Sequence, residues 1–407
     1  MKDLILPENI IERETYTSRI EPFIRKPVIK VLTGQRRVGK SYMLFQLIRR
    51  ILKEDKEANI IYINKEDIQF DFIQTPADLV KHIKSQSADG KINFIFIDEI
   101  QEVAGFEKAV RSLLLDHNND IYITGSNAKL LSGEFATFLG GRTVENRIYS
   151  LSYSEFLHFH KYKDTEENLE RFFLYGGLPF LAHLRLTEQI AFEYLQNIYN
   201  TIIYRDVVSR YNLRNTYFLE QLVRFLADNT GSLFSSKSIS DFLKSQKVMI
   251  PHNQVQSYTG YLKDAFLVNR VLRYDIQGKR IFETGEKYYF EDMGIRNAII
   301  GYKPGDRAKI LENVVYNELL FRGYDVMTGW KKDHETDFIA IKDNEKIYVQ
   351  VALSTDNDAT FKREFGNLLE IGDNYPKFVV TTDKKSRNTS EGIVHKNIRN
   401  FLMEGFV

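Results

Sequence analysis

The residues best equipped for chemistry lie in the first third of the chain. Gly34-Gln35-Arg36-Arg37-Val38-Gly39-Lys40-Ser41 fits the phosphate-binding spacing G-x-x-x-x-G-K-[ST] at every fixed position. Each residue type has a physical task. Glycines let the backbone wrap closely, so that its N–H groups can face phosphate oxygens, and the helix that starts here adds its N-terminal dipole. Lys40 would reach the β- and γ-phosphates, and the Ser41 hydroxyl would ligate Mg²⁺. With Tyr42 next in line, residues 34–42 form the expected ATP-binding set.

A second string, Ile92-Asn93-Phe94-Ile95-Phe96-Ile97-Asp98-Glu99, is an apolar strand that ends in two acids. At the strand tip Asp98 can hold Mg²⁺ through water, and Glu99 can polarise an attacking water. A third, Ile121-Tyr122-Ile123-Thr124-Gly125-Ser126-Asn127, is another apolar strand with a polar tip. Ser126 or Asn127 could sense the γ-phosphate or orient water; the competing reading is a turn with a helix N-cap. Arg142, in Leu139-Gly140-Gly141-Arg142, is a candidate cation for charge developing in the transition state, supplied in cis or by a neighbouring chain. Arg36 and Arg37 are candidates for the same role. The expected catalytic group is thus Lys40, Glu99, Asn127 and Arg142, the expected metal ligands are Ser41 and Asp98, and the expected cofactors are ATP and Mg²⁺.

These tips need strands and helices to hold them. Strands are expected at Val28–Leu32, Ile60–Ile63, Phe94–Ile97 and Ile121–Thr124, and helices at Ser41–Leu52, from Thr75-Pro76 onward, and at Phe106–Leu115. Strands separated by helices imply a parallel sheet covered on both faces, with the strand tips on the ligand side. We place this α/β domain at 1–155. A mostly helical block follows at 156–300. It contains the Gly176–Pro179 turn and ends in two helices, Ser238–Lys244 and Gln254–Asp264, then a β-rich stretch Leu267–Tyr289. Helix, helix, hairpin is the order of a winged helix. There Asn253, Gln254, Gln256, Ser257, Tyr258 and Lys263 could touch DNA, with Arg270, Arg273, Lys279 and Arg280 as a basic wing. The last block, 301–407, alternates a helix at Leu311–Arg322, strands at Asp337–Ile341 and Lys346–Ala352, a helix at Phe361–Glu370 and a strand at Phe378–Thr381.

The sequence resembles prokaryotic AAA+-like P-loop ATPases of the archaeal-type clade. The likeness is carried by Thr33 through Ser41, by Ile97-Asp98-Glu99-Ile100-Gln101 and by Thr124-Gly125-Ser126-Asn127. It continues through Gly141-Arg142, Tyr175-Gly176-Gly177-Leu178-Pro179, Tyr204-Arg205-Asp206-Val207-Val208, Lys287-Tyr288-Tyr289, Glu312-Asn313 and Asp337-Phe338. It implies an AAA-type ATPase domain, a winged-helix-like middle, and a C-terminal α/β domain like a restriction endonuclease of the PD-(D/E)XK kind. Such a nuclease needs a helix acid, a strand acid, and an acid and a lysine on the next strand. Glu312 or Glu318 could be the first and Asp337 the second. Gln350 and Ala352 stand at the other two places, so a non-catalytic binding domain is expected unless Lys342 or Lys346 has taken over the lysine's role.

Composition bounds the rest. Lys+Arg is 56 against Asp+Glu 55 in 407 residues, so any basic surface must be local. With Cys 0, disulfides, iron–sulfur clusters and thiol catalysis are excluded, which suits a cytoplasmic setting. No apolar run approaches the ~20 residues of a membrane helix. The reading that follows is an ATP-driven switch acting on DNA or a protein partner. An ATP-dependent DNA-processing nuclease and a nucleotide-binding scaffold with little turnover are the competing readings.

Overall fold

The computed structural model describes residues 5–131, 139–278, 280–331, 334–385 and 391–406. Two compact units emerge. The first is Met1–Tyr149 with the short segment Asp264–Phe266, and the second is Ser150–Lys263 with Leu267–Val407.

The first unit is built on a five-stranded sheet: β1 (Ile29–Thr33), β2 (Asn59–Asn64), β3 (Asn93–Asp98), β4 (Asn119–Gly125) and β5 (Thr143–Arg147), in the order β2-β3-β4-β1-β5. All four pairings are parallel. β1, β3 and β4 are buried along their whole length, as near-continuous Ile/Val/Phe runs require in a sheet covered on both faces. The helix Lys40–Glu54 presents Met43, Leu44, Leu47, Ile48 and Ile51 to the interior. The helix Pro76–Gln86 begins as its sequence dictates: Thr75 and Asp78 form a capping box, with Pro at the first turn. The topology places β4 between β1 and β3. The C-terminal tips that carry Gly34, Ser126 and Asp98 are therefore consecutive along one sheet edge.

The fold class read from the sequence holds: a parallel α/β domain is followed by helices and a mixed sheet. The second unit carries an eight-stranded sheet. Its strands are β6 (Leu233–Phe234), β7 (Val268–Asp275), β8 (Arg280–Phe290), β9 (Asp325–Lys331), β10 (His334–Lys342), β11 (Glu345–Val351), β12 (Lys377–Thr381) and β13 (Ile393–Asn397), in the order β13-β12-β11-β10-β9-β7-β8-β6. The expected order of helix, helix and hairpin appears as Ser236–Ser245, His252–Asp264 and β7–β8. The hairpin does not close a separate domain. β7 pairs in parallel with β9 at Arg273↔Thr328 and Asp275↔Trp330, so one sheet runs across the 300/301 boundary drawn from the sequence. The physical reason is shared burial: Val271 and Tyr289 of the hairpin pack in one core with Val315, Phe338 and Val349.

The Gly176-Gly177 turn has a concrete cause. A Cβ on Gly176 would lie 2.3 Å from Asp292 Oδ1, and one on Gly177 would lie 2.4 Å from the Leu151 carbonyl. Asp292 is buried and accepts the Gly177 and Ile295 N–H groups at 2.7 and 3.0 Å. Burial pushes its carboxyl up to about 6 against these donors.

The surface expected to meet DNA is partly committed elsewhere. Tyr258 is buried, edge-on to Phe218 at 5.0 Å, whereas Asn253, Gln256, Ser257 and Lys263 are exposed. Arg270 pairs with Glu286 at 2.5 Å, and Arg273 lies over the Trp330 ring at 4.2 Å. Lys279 lies outside the described residues.

Candidate nucleotide-binding site

The loop after β1 is shaped by backbone that only certain residues tolerate. Gly34 and Gly39 adopt φ of 144° and 97°, and a Cβ on Gly34 would lie 2.1 Å from the Ile148 carbonyl oxygen. The loop is braced from behind by buried Arg13, whose Nη1 donates to the carbonyls of Val38 and Tyr149, each at 3.1 Å. Lys40 opens the following helix. Its side chain is buried and donates to the Gly34 and Gln35 carbonyls, both at 3.1 Å, with Glu99 Oε1 3.7 Å away.

Asp98 ends β3, 2% exposed. The Ser41 and Thr124 hydroxyls are hydrogen-bonded to its carboxyl, and Tyr62 OH donates to it at 3.3 Å. Burial pushes this carboxyl above its usual range, against the pull of the two hydroxyls. A hydroxyl and a carboxylate side by side are hard oxygen donors of the type Mg²⁺ takes. Ser41 and Asp98 therefore fit that ion, and its positive charge would favour the ionised carboxylate that burial disfavours.

Glu99 adopts φ of 54°. A non-glycine residue in this region costs about 1–3 kcal/mol and persists only where its surroundings enforce it. Here they do. Its N–H donates to Thr124 Oγ1 at 2.9 Å, while its carboxylate accepts from Gln101 Nε2 and from Ser126 Oγ at 3.2 Å. Burial pushes the Glu99 carboxyl up. Lys40, Gln101, Arg36 and Ser126 together outweigh it, so the group lies below the usual carboxylate range and stays ionised.

Asn127 is 3% exposed. Its Oδ1 accepts the Lys129 N–H at 2.7 Å, which is the capping role weighed for it above, yet its buried Nδ2 has no hydrogen-bond partner among the described residues. Arg36 is buried, pairs with Glu66 at 3.2 Å, and its charge is felt by Glu99. Arg37 and Tyr42 are exposed. Arg142 is not brought to this group within the chain. It is exposed, and its carbonyl accepts from Ile29 N at 2.9 Å, which puts it at the start of β1, the opposite end of that strand from Gly34. The arginine at the loop end is Arg147, whose register partner is Thr33 and whose guanidinium lies 4.9 Å from the Tyr149 ring centroid.

Thr124, Gln101, Arg13 and Arg147 were not assigned roles from sequence. Thr124 carried a usable signal: a hydroxyl one residue from the polar tip of a strand that must adjoin the acidic one. Arg147 carried none, because β5 is a half-buried edge strand of mostly polar residues.

An uncharacterized protein of Haemophilus influenzae is 39% identical over 393 residues, covering 94% of this chain and 96% of its own. The chain belongs to the same family. An uncharacterized protein of Methanocaldococcus jannaschii is 33% identical over 351 residues, covering 83% of this chain and 77% of its own. Within the family's length, residues 26–157 match the family described as AAA domain, and residues 166–306 match a domain of unknown function, DUF8612. The match supports the P-loop ATPase part of the resemblance; for the C-terminal part it lends no nuclease likeness. Among solved structures, Cdc6p of Pyrobaculum aerophilum aligns at 13% identity over 76% of this chain and 96% of its own, with a TM-score of 0.31. DnaA of Aquifex aeolicus, solved with AMPPCP bound, aligns at 14% identity over 63% and 90%, with a TM-score of 0.32. No helix among the described residues is long and apolar enough to cross a membrane.

Proposed function

We propose that this family member binds ATP with Mg²⁺ at the tips of β1, β4 and β3, hydrolyses it, and uses the change of state to act on DNA or a protein partner through its second unit. The observation that carries the reading is the convergence of Lys40, Ser41, Asp98 and Glu99 on one sheet edge, with Thr124 bridging the two acids.

Lys40 exchanges the Gly34 and Gln35 carbonyls for β- and γ-phosphate oxygens, a charge-assisted contact in place of neutral ones. Ser41 and Asp98 would hold Mg²⁺, which would supply positive charge to offset charge building on the phosphate oxygens. Glu99, ionised, accepts a proton from water and aligns it for attack on the γ-phosphorus, so that the bond to the β-phosphate oxygen breaks and ADP leaves. Gln101 and Ser126 fix the carboxylate's position. The Nδ2 of Asn127, without a hydrogen-bond partner among the described residues, is available to donate to a phosphate oxygen or to that water. Beyond the loop's own Arg36 and Lys40, Arg147 pairs in register with Thr33 at the loop end of β5, and Arg142 would serve on a neighbouring chain's nucleotide.

The test is phosphate release by the purified chain, measured with and without duplex DNA across a range of protein concentrations. Release is expected to require Mg²⁺. It should rise with protein concentration where Arg142 acts between chains, and respond to DNA where the second unit binds it. Release no higher than that of the Lys40→Ala variant under every condition would leave only a nucleotide-binding scaffold.

A further inference from the structure

Away from the nucleotide site, one lysine of the second unit is buried among acids. Lys287 and Tyr289 lie on the same face of β8, two residues apart. Lys287 is 3% exposed. Its Nζ lies 2.9 Å from Glu312 on the helix Arg307–Phe321, 2.7 Å from Glu335 and 4.0 Å from Asp337, both on β10. Tyr289 OH donates to the same Glu312 oxygen at 2.6 Å. Asp337 is further tied down by the Val351 N–H at 2.8 Å, and its own N–H donates to the Gln350 side-chain oxygen at 3.3 Å. The neighbouring residue Asn313 clamps β8 from the helix, bonding both the N–H and the carbonyl of Phe290 at 2.8 Å. Of the two acids weighed for the helix, Glu312 is the one that faces Asp337; Glu318 pairs instead with Arg322 at 2.7 Å. Neither Lys342, over the Tyr324 ring, nor Lys346, bound to Asp373, reaches the cluster.

We propose that the Lys287 ammonium is the resident cation of this cluster, standing where a divalent metal would have to sit, so that the second unit is a metal-free module locked by an internal counter-ion. Three carboxylates around one point repel each other and need a positive charge among them. The ammonium meets two of them at ordinary hydrogen-bond lengths. A Mg²⁺ ion needs its oxygens at about 2.0–2.1 Å in near-octahedral geometry, so ammonium and metal cannot share the space between the same carboxylates. The remaining donor favours the ammonium: Gln350 offers a neutral oxygen already taken by a backbone N–H. The charge also closes without a metal. Burial and Glu312 push the Asp337 carboxyl well above its usual range, against Lys287, while Glu335 reaches solvent with its side chain 30% exposed. Burial lowers the Lys287 ammonium, but Glu312, Asp337 and Glu335 overcome it and raise it, so it remains charged.

Mn²⁺ uptake by the nucleotide-free full chain, followed by the loss of the free-ion electron paramagnetic resonance signal, tests this. Wild type and Asp337→Asn should take up Mn²⁺ identically. Lys287→Met should gain one Mn²⁺ per chain, and Lys287→Met/Asp337→Asn should lose it again. If Lys287→Met does not fold, Mn²⁺ should restore its melting transition, whereas Lys287→Arg should fold without Mn²⁺ and take up no more than wild type. Mn²⁺ binding by wild type that Asp337→Asn abolishes, or DNA cleavage by wild type that requires Asp337, would overturn the proposal. So would a Lys287→Met variant that neither gains the ion nor is restored by it.

Discussion

Replacing Glu99 by Gln is expected to lower ATP turnover by about 10²–10⁴-fold, the usual contribution of a positioned general base. The substitution keeps size and shape, so the contacts from Gln101 and Ser126 and the left-handed backbone at this residue can persist. What it removes is the negative charge that accepts a proton from water. ATP affinity should stay the same or tighten, because a buried anion beside Lys40 is lost from the pocket a phosphate must enter. Steady-state phosphate release together with equilibrium titration of a fluorescent ATP analogue separates the two effects. A variant that turns over at the wild-type rate would remove Glu99 from the mechanism and leave Asn127 and Arg147 as the groups to examine.

Lys40→Ala should act on binding. The ammonium is buried and now satisfied by two loop carbonyls, and in the complex it would meet phosphate charge in the same low-dielectric setting. Truncating one partner of a buried charged pair costs about 2–5 kcal/mol, which is roughly 30- to 5,000-fold in affinity. The same titration measures it. Thermal melting of the variant checks that the loop, held by Arg13 and the glycines, still folds. Unchanged affinity would mean that the nucleotide binds elsewhere.

How much of this was legible beforehand depended on how local each signal is. The loop, its strand and its helix were readable because a fixed spacing and an uninterrupted apolar run lie within one stretch of chain. Asp98 and Glu99 were readable because two acids at the end of a buried strand have few other uses. The first helix, Glu14–Ile20, and β5 were not read: the first is short, and the second is a half-buried edge strand of mostly polar residues. Arg142 followed from its Gly-Gly setting, yet the parallel pairing of β5 with β1 puts it at the far end of the strand and brings Arg147 to the loop instead. The middle and last blocks looked separate because each has its own alternation of elements. They share a sheet because the apolar face of the hairpin finds its partner beyond residue 300. The Lys287 cluster was legible in part: Glu312 and Asp337 were weighed as partner acids, whereas the roles of Lys287 and Glu335 were not read. Its members lie on a hairpin, a helix and a second hairpin, and only the folded chain brings them within 4.0 Å.

The most direct test of the central claim is a single turnover. Equal amounts of purified chain and ATP are mixed with and without Mg²⁺, and the release of γ-phosphate is followed to completion. The site at the tips of β1, β4 and β3 predicts release of close to one phosphate per chain with Mg²⁺, almost none when the ion is chelated, and almost none from Lys40→Ala in either case. ATP that remains whole in the presence of Mg²⁺, or release that Lys40→Ala does not diminish, would contradict it.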